Sequence, residues 1–285
     1  MIVGAPKAGT TSLCHYLSEH PQVFMSDPKE VNFFSKEEIE NQGLYYNDFK
    51  VKNIAEYEDL FAGVTNEIAV GEGSVSYLFY PKTPQKIKDA LPNVKIIILL
   101  RDPVSRGFSH YLMDYRLGLV DVPYDEIVYQ KSNHKNNALY YQQYVELGLY
   151  YEQVRRYLDI FGIDQVRIFI NDDLKEDISK VILSVYDFLD IDQNFMPDLK
   201  KQYNVYQKPR NAFVSHLYSA KPLRRLARTV VPHSLVDTVK NTLLVKEKKP
   251  ELSPGTRKYL NGLFKNNILQ TADLIDRDLS HWCRD

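Results

Sequence analysis

The chain has 285 residues, 36 Lys+Arg against 37 Asp+Glu, a net charge of −1 and 44% hydrophobic residues. Such a length and apolar content support one large α/β domain or two small ones with a sizeable core, and the near-neutral charge excludes a general nucleic-acid binder, so any basic site is local. No apolar run reaches the ~18 residues of a membrane span, no charged leader precedes an apolar stretch, and the two cysteines, Cys14 and Cys283, have neither metal nor disulfide spacing. These features predict a cytoplasmic protein without metal, with Cys14 a small core residue, while native residues ahead of Met1 stay open.

In chain order, the first predicted strand is Met1–Gly4, followed by a turn and a helix over Thr10–Glu19. Between them, Gly4, Lys7, Gly9, Thr10, Thr11 and Ser12 crowd one turn. Free N–H groups and the positive end of the helix dipole converge there. Lys7 adds a point charge, Gly4 and Gly9 allow close backbone approach, and the three hydroxyls add donors. A phosphate-like group is the expected ligand. The nucleoside-triphosphatase loop G-x-x-x-x-G-K-[ST] places its Lys after the second Gly. Here Lys7 precedes Gly9, and Thr10 stands where that Lys would be.

Next comes Pro28-Lys29-Glu30-Val31-Asn32-Phe33-Phe34. Read alone, it is a surface Lys-Glu pair ahead of a buried Phe pair, or a carboxylate positioned as a base. A strand over Glu67–Gly71 leads into Gly71-Glu72-Gly73-Ser74-Val75-Ser76-Tyr77-Leu78, and a helix follows over Lys82–Ala90. The run Val94–Leu100 has the continuous apolar character of a buried parallel strand. It feeds Arg101-Asp102-Pro103 and a helix over Val104–Leu117 that carries Arg106, Ser109 and His110. Arg101 and Ser109 can hold an anion through forked guanidinium donors and a hydroxyl; equally, Asp102 can cap a helix whose arginines are solvated.

Further on, a helix over Leu149–Phe161, a strand over Val166–Ile170 and a helix over Ile178–Leu189 continue the alternation. This pattern predicts a parallel sheet covered on both faces, with ligands beyond the carboxyl ends of its strands. The tail contains a basic stretch with Lys221, Arg224, Arg225 and Arg228, and a last amphipathic helix from Ser253 to Trp282. The 21 tyrosines are chiefly expected as half-buried packing residues.

Taken together, the motifs resemble sulfotransferases that use 3′-phosphoadenosine 5′-phosphosulfate (PAPS), in particular heparan-sulfate-type members and their bacterial relatives. The order P-K-x-G-T-T-[SA]-L is similar to their 5′-phosphosulfate loop, which implies cofactor contacts from Lys7, Ala8, Gly9, Thr10, Thr11 and Ser12. Their R-[DN]-P-x-x-R-x-x-S-x-[HY] segment implies that Arg101 and Ser109 hold the 3′-phosphate. Their K-E-x-x-F-F segment implies Glu30 as catalytic base with Phe33 beside the acceptor, and [GF]-E-[KA]-S-x-x-Y implies Glu72 and Ser74 in the acceptor pocket. At Gly73 heparan-sulfate members carry Lys, so the departure speaks against an anionic glycosaminoglycan and leaves more space beside Glu72 and Ser74. Lys208 and Arg210 fall where the family closes a basic loop over the nucleotide.

The resemblance implies a P-loop-like three-layer α/β fold, with a central parallel sheet flanked by helices. It implies a single domain over 1–285, with a PAPS-binding and catalytic core over 1–215 and a mainly helical part over 216–285. The implied activity is sulfuryl transfer from PAPS, without metal, to a hydroxyl or amine of a carbohydrate or small natural product. Lys7 would stabilise the leaving phosphate, and Glu30, with His110 in the same cleft, would handle the acceptor proton. A kinase-like nucleotide-binding protein, in which Asp102 mimics a metal-binding acid, and a non-catalytic nucleotide-binding scaffold are the alternatives.

Overall fold

The computed structural model describes residues 1–46, 49–199, 207–209, 244–246 and 250–284, with 207–209 and 244–246 as backbone strands alone. Its centre is β4 (Ile96–Leu100), buried at every position. A strand that is apolar throughout has both faces covered, as in a parallel sheet under helices. β4 pairs in parallel with β1 (Ile2–Gly4) on one side and β5 (Val166–Ile170) on the other. A second parallel pair, β2 (Val23–Met25) and β3 (Ala69–Gly71), joins alongside through a bridge from Ile2 to Gly73. All these strands run the same way, so their carboxyl ends open onto one edge.

The helices are α1 (Thr10–Ser18), α2 (Lys36–Gln42), α3 (Ile54–Asp59), α4 (Thr83–Ala90), α5 (Pro103–Arg116), α6 (Tyr124–Val128), α7 (Asn137–Tyr144), α8 (Tyr150–Phe161), α9 (Asn171–Glu176) and α10 (Ile178–Leu189). After two short antiparallel strands, β6 (Gln207–Pro209) and β7 (Leu244–Lys246), comes α11 (Pro254–Ile275). Leu13 and Leu17 of α1, Ile87 of α4, Val154 of α8 and Ile182 of α10 pack with the sheet into one buried cluster. Leu260, Phe264 and Ile268 of α11 join that same cluster.

The long elements lie close to their expected positions, and β5 and α10 match their expected ends. The last helix is shorter than expected. It stops at Ile275, where Asp276 turns left-handed (φ 51°), and a 3₁₀ turn over Ser280–Cys283 then brings Trp282 into the core. The elements with no counterpart in the sequence analysis, such as β2, α2, α3, α6 and α7, are three to eight residues long. Such lengths span too few turns for periodicity to show.

Candidate active site

The β1–α1 turn lies at the carboxyl edge of the sheet and forms one wall of a cavity of ≈ 550 Å³. Gly9 takes φ 110°, a conformation open to glycine, which lets the chain turn directly into α1. Among the described residues no side chain caps α1. Its first-turn N–H groups therefore keep their donors for a ligand. Lys7, Thr10, Thr11 and Ser12 all line the cavity.

Three strand ends converge on this turn. Lys7 follows β1, Arg101 follows β4 and Asn171 follows β5, and all three line the cavity. Arg101 donates to the Lys7 carbonyl oxygen at 2.9 Å, and the Asn171 amide donates to the Ala8 carbonyl at 3.0 Å. The loop is thus held from behind by two side chains. Burial, then the neighbouring Arg116 and Arg101 cations, lower the Lys7 ammonium to about 8. Burial also lowers Arg101, whose Nε is buried without a partner among the described residues. An incoming anion would relieve both conditions. Ser109 lies on the same wall, one face along α5 from its start. That helix is capped by Asp102, which accepts from Val104 and Ser105 N–H at 3.2 and 3.0 Å.

Glu30 lines the same cavity. Lys7, Glu30 and Asn32 are non-glycine residues with φ of 67°, 63° and 55°. Left-handed backbone at such residues clusters at functional sites because the surroundings must over-determine it. Here the surroundings do so. Glu30 N–H donates to the Gly73 carbonyl and Val75 N–H donates to Glu30 Oε2, both at 2.9 Å, while Lys29 pairs with Oε1. Asn32 N–H donates to Ser74 Oγ at 2.9 Å, Ser74 donates to Glu72 at 2.7 Å, and Ser76 donates to Asn32 Oδ1 at 2.6 Å.

This network shows where the other expected acceptor residues lie. Glu72 is 1% exposed and Ser74 fully buried, and neither lines the cavity. Glu72 accepts from Tyr57 and Tyr77 hydroxyls at 3.2 and 2.8 Å, and burial raises its pKa. It braces the Glu30 turn from behind. Phe33 likewise turns inward and stacks on Tyr57 at 4.9 Å. The space expected at Gly73 is filled. A Cβ there would lie 2.7 Å from Cys14 Sγ, with Lys29 Cε in ordinary contact at 3.6 Å, so glycine lets Cys14 of α1 pack against this turn.

His110 lines the cavity but is 3% exposed, with both ring nitrogens engaged. Nδ1 lies 3.4 Å from Arg106 and 3.2 Å from the Gln143 carbonyl, and Nε2 lies 3.1 Å from Tyr46 Oη. Burial, then the Arg106 and Lys7 charges, push its pKa well below the usual value, so the ring is neutral. It is packed into the wall rather than free to take a proton. Behind it, Asp114 has no exposed surface and accepts from the hydroxyls of Tyr45, Tyr46 and Tyr144. Burial pushes Asp114 up to about 6, against the pull of these hydroxyls. Fully buried Arg106 donates to the last carbonyls of α7, Gln143 and Tyr144, both at 2.9 Å. A cation at a helix C-terminus complements its dipole.

The structure therefore brings Lys7, Thr10, Thr11, Ser12, Glu30, Arg101, Ser109 and His110 together around one cavity. Ala8 is buried beneath the turn, presenting backbone. Arg210 and the side chain of Lys208 lie outside the described residues, as do Lys221, Arg224, Arg225 and Arg228. Sequence reasoning missed Asn171, Tyr46 and Asp114. Asn171 directly follows a strand that the sequence revealed, so the strand-end rule would have found it; Tyr46 and Asp114 carry no local signal. Among the described residues no group of acidic, His or Cys side chains is arranged to hold a metal, and no helix is long and apolar enough to cross a membrane.

A parallel sheet whose strand ends carry an uncapped helix and two cations defines an α/β protein built to bind a phosphorylated ligand. The sulfotransferase domain model matches residues 1–268, and the chain belongs to the sulfotransferase family, whose members are PAPS-dependent enzymes. A sulfotransferase from Alicyclobacillus acidocaldarius has a similar crystal structure, with a TM-score of 0.72 and 31% identity, covering 99% of this chain and 97% of that one. The membrane-associated sulfotransferase kil1 of Dictyostelium discoideum is 32% identical over 111 residues, 39% of this chain and 22% of that protein. The bifunctional heparan sulfate N-deacetylase/N-sulfotransferase 1 of Caenorhabditis briggsae is 24% identical over 234 residues, 78% of this chain and 25% of that protein. The chain spans roughly a quarter of the length of these two relatives.

Proposed function

We propose that this domain transfers a sulfuryl group from PAPS to a hydroxyl, or an amine, of a carbohydrate or small natural product, and that residues 1–285 act as one domain. The observation that carries the reading is one cavity lined both by Glu30 and by the turn that holds Lys7 and the uncapped start of α1. The unpartnered Arg101 Nε and the depressed Lys7 ammonium fit a polyanionic nucleotide. When bound, PAPS supplies the activated sulfuryl group. Lys7 and the α1 amides lie where they would hold the leaving phosphate and stabilise its growing charge. Arg101 and Ser109 would grip the 3′-phosphate.

Glu30 would take the acceptor proton. Its two oxygens each have a further lone pair beyond the Val75 and Lys29 contacts. His110 is the weaker base, because its nitrogens already face Tyr46, Arg106 and Gln143. Calorimetry with adenosine 3′,5′-bisphosphate and with ATP–Mg tests the reading. Tighter binding of the bisphosphate, with turnover of PAPS on an acceptor, is expected. Preference for ATP–Mg would favour a kinase-like protein, and binding without turnover would favour a scaffold.

A further inference from the structure

The part of the cavity away from the phosphate cradle has a different chemistry. Ile39 and Leu44, from α2 and the turn after it, meet Tyr80 in a small hydrophobic cluster separate from the main core. Tyr46 and Phe79 pack on that cluster, and all five line the cavity, with Leu147 beside them. The two tyrosine hydroxyls are already used. Tyr46 donates to Asp114, and Tyr80 donates to Gln42 at 2.8 Å. Ser76, also on the wall, is tied to Asn32 and Ser35. What remains for a ligand is chiefly aliphatic surface and aromatic ring, with Gln143 the further polar residue on this wall.

The charges divide as sharply. Among the described lining residues, the formally charged side chains are Lys7, Arg101 and Glu30. Both cations belong to the cradle, and Lys29 is turned onto Glu30. An anionic polysaccharide would thus meet a carboxylate and an apolar wall. A polyhydroxylated sugar would bury most of its hydroxyls against aliphatic and aromatic surface, which costs binding energy.

We propose that the acceptor is an uncharged alcohol or phenol with an apolar or aromatic body, a class distinct from the heparan sulfate in the relative's name. Its body lies against Ile39, Leu44, Phe79 and Leu147 and the rings of Tyr46 and Tyr80, and its hydroxyl reaches Glu30. This rests on the sulfotransferase reading. In the reaction the acceptor O–H bond breaks with its proton passing to Glu30, the acceptor oxygen bonds to sulfur, and the sulfur–phosphate oxygen bond breaks. The products are a sulfate ester and adenosine 3′,5′-bisphosphate.

The test compares 2-naphthol and 1-decanol with an N-acetylheparosan hexasaccharide as acceptors for PAPS. Alongside it, calorimetry measures adenosine 3′,5′-bisphosphate binding, and naphthol fluorescence measures acceptor binding to the bisphosphate complex. The hydrophobic alcohols should be turned over at least tenfold more efficiently than the oligosaccharide. Phe79, half-buried on the wall, supplies the variant. Phe79→Ala should raise the KM and Kd for 2-naphthol about tenfold, the order expected for a lost aromatic contact, and leave bisphosphate affinity unchanged. Intact bisphosphate binding with preference for the oligosaccharide, or with no binding or turnover of either alcohol, overturns the acceptor class and spares the sulfotransferase reading. Absence of bisphosphate binding overturns both.

Discussion

The two ends of the cavity are built by different means. The cradle end is made largely of backbone, set at the carboxyl ends of β1, β4 and β5, with Arg101 and Asn171 directly after their strands and Lys7 three residues past β1. β4 pairs regularly with β5 and, with a register shift between Ile2 and Gly4, with β1, and these pairings bring the three residues to one edge. The end proposed for the acceptor is made of side chains from α2 and two turns, joined in a satellite cluster, with Leu147 from a 3₁₀ turn over Glu146–Gly148 beside them. A backbone cradle is rigid and specific for a charged group. A side-chain wall can be recomposed one residue at a time, which suits the variable partner of the reaction.

The widest separation between the two ends comes from Glu30→Gln. Turnover should fall by ~100- to 10,000-fold, the range for general-base catalysis, while affinity for adenosine 3′,5′-bisphosphate stays level. The Lys29 pair lost in this variant is partly exposed, so thermal stability should change by less than ~1 kcal/mol. An active Glu30→Gln enzyme would remove the base from the acceptor side.

Next is Lys7→Ala, with a loss of roughly 100-fold or more in turnover at saturating nucleotide. It has a companion in pH. The Lys7 ammonium of the free protein titrates at about 8, and a bound phosphate raises it. Wild-type affinity for the bisphosphate should therefore hold below pH 8 and decline above it, and this dependence should be absent in Lys7→Ala. Identical pH profiles in the two proteins would place the phosphate elsewhere.

Arg101→Ala sharpens the comparison within the cradle. It should weaken bisphosphate binding by ~1.5–3 kcal/mol, as for a charged hydrogen bond. Adenosine 5′-phosphosulfate, which lacks the 3′-phosphate, should bind wild type and variant alike. Equal loss of both ligands would mean that Arg101 acts through its hold on the Lys7 carbonyl.

The smallest effect concerns the wall behind the acceptor end. Asp114 titrates at about 6 in the folded protein against 3.8 ordinarily, so the folded state binds this proton more tightly than the unfolded chain. Its stabilising contribution is complete below pH 3.8 and is lost as pH rises through 6. In urea titrations, the stability of wild type relative to Asp114→Asn should fall by ~2 kcal/mol between about pH 4.5 and 7.5. A pH-independent difference would mean that the tyrosine cage holds no ionising group.

Local sequence determined what depends on backbone continuity. The Ile96–Leu100 run can only be a covered strand, and a turn with Gly9 before three hydroxyl residues can only start a helix with its amides exposed. The carboxyl-edge position then follows for Lys7 and Arg101, so this wall of the cavity was legible in the sequence itself. The place of Glu30 on the cavity was legible through its flanking motif, although nothing local says that Glu72, the first residue past β3, would instead be sealed under Tyr57 and Tyr77. Only the tertiary structure decided that difference, because burial of a carboxylate depends on what packs over it. The same holds for His110, whose pKa is lowered by burial and then by the Arg106 and Lys7 charges, and for the apolar wall drawn from α2, the turns after α2 and β3, and Leu147. These contacts join residues far apart in the chain, and their chemistry comes into being only when the fold excludes water from between them.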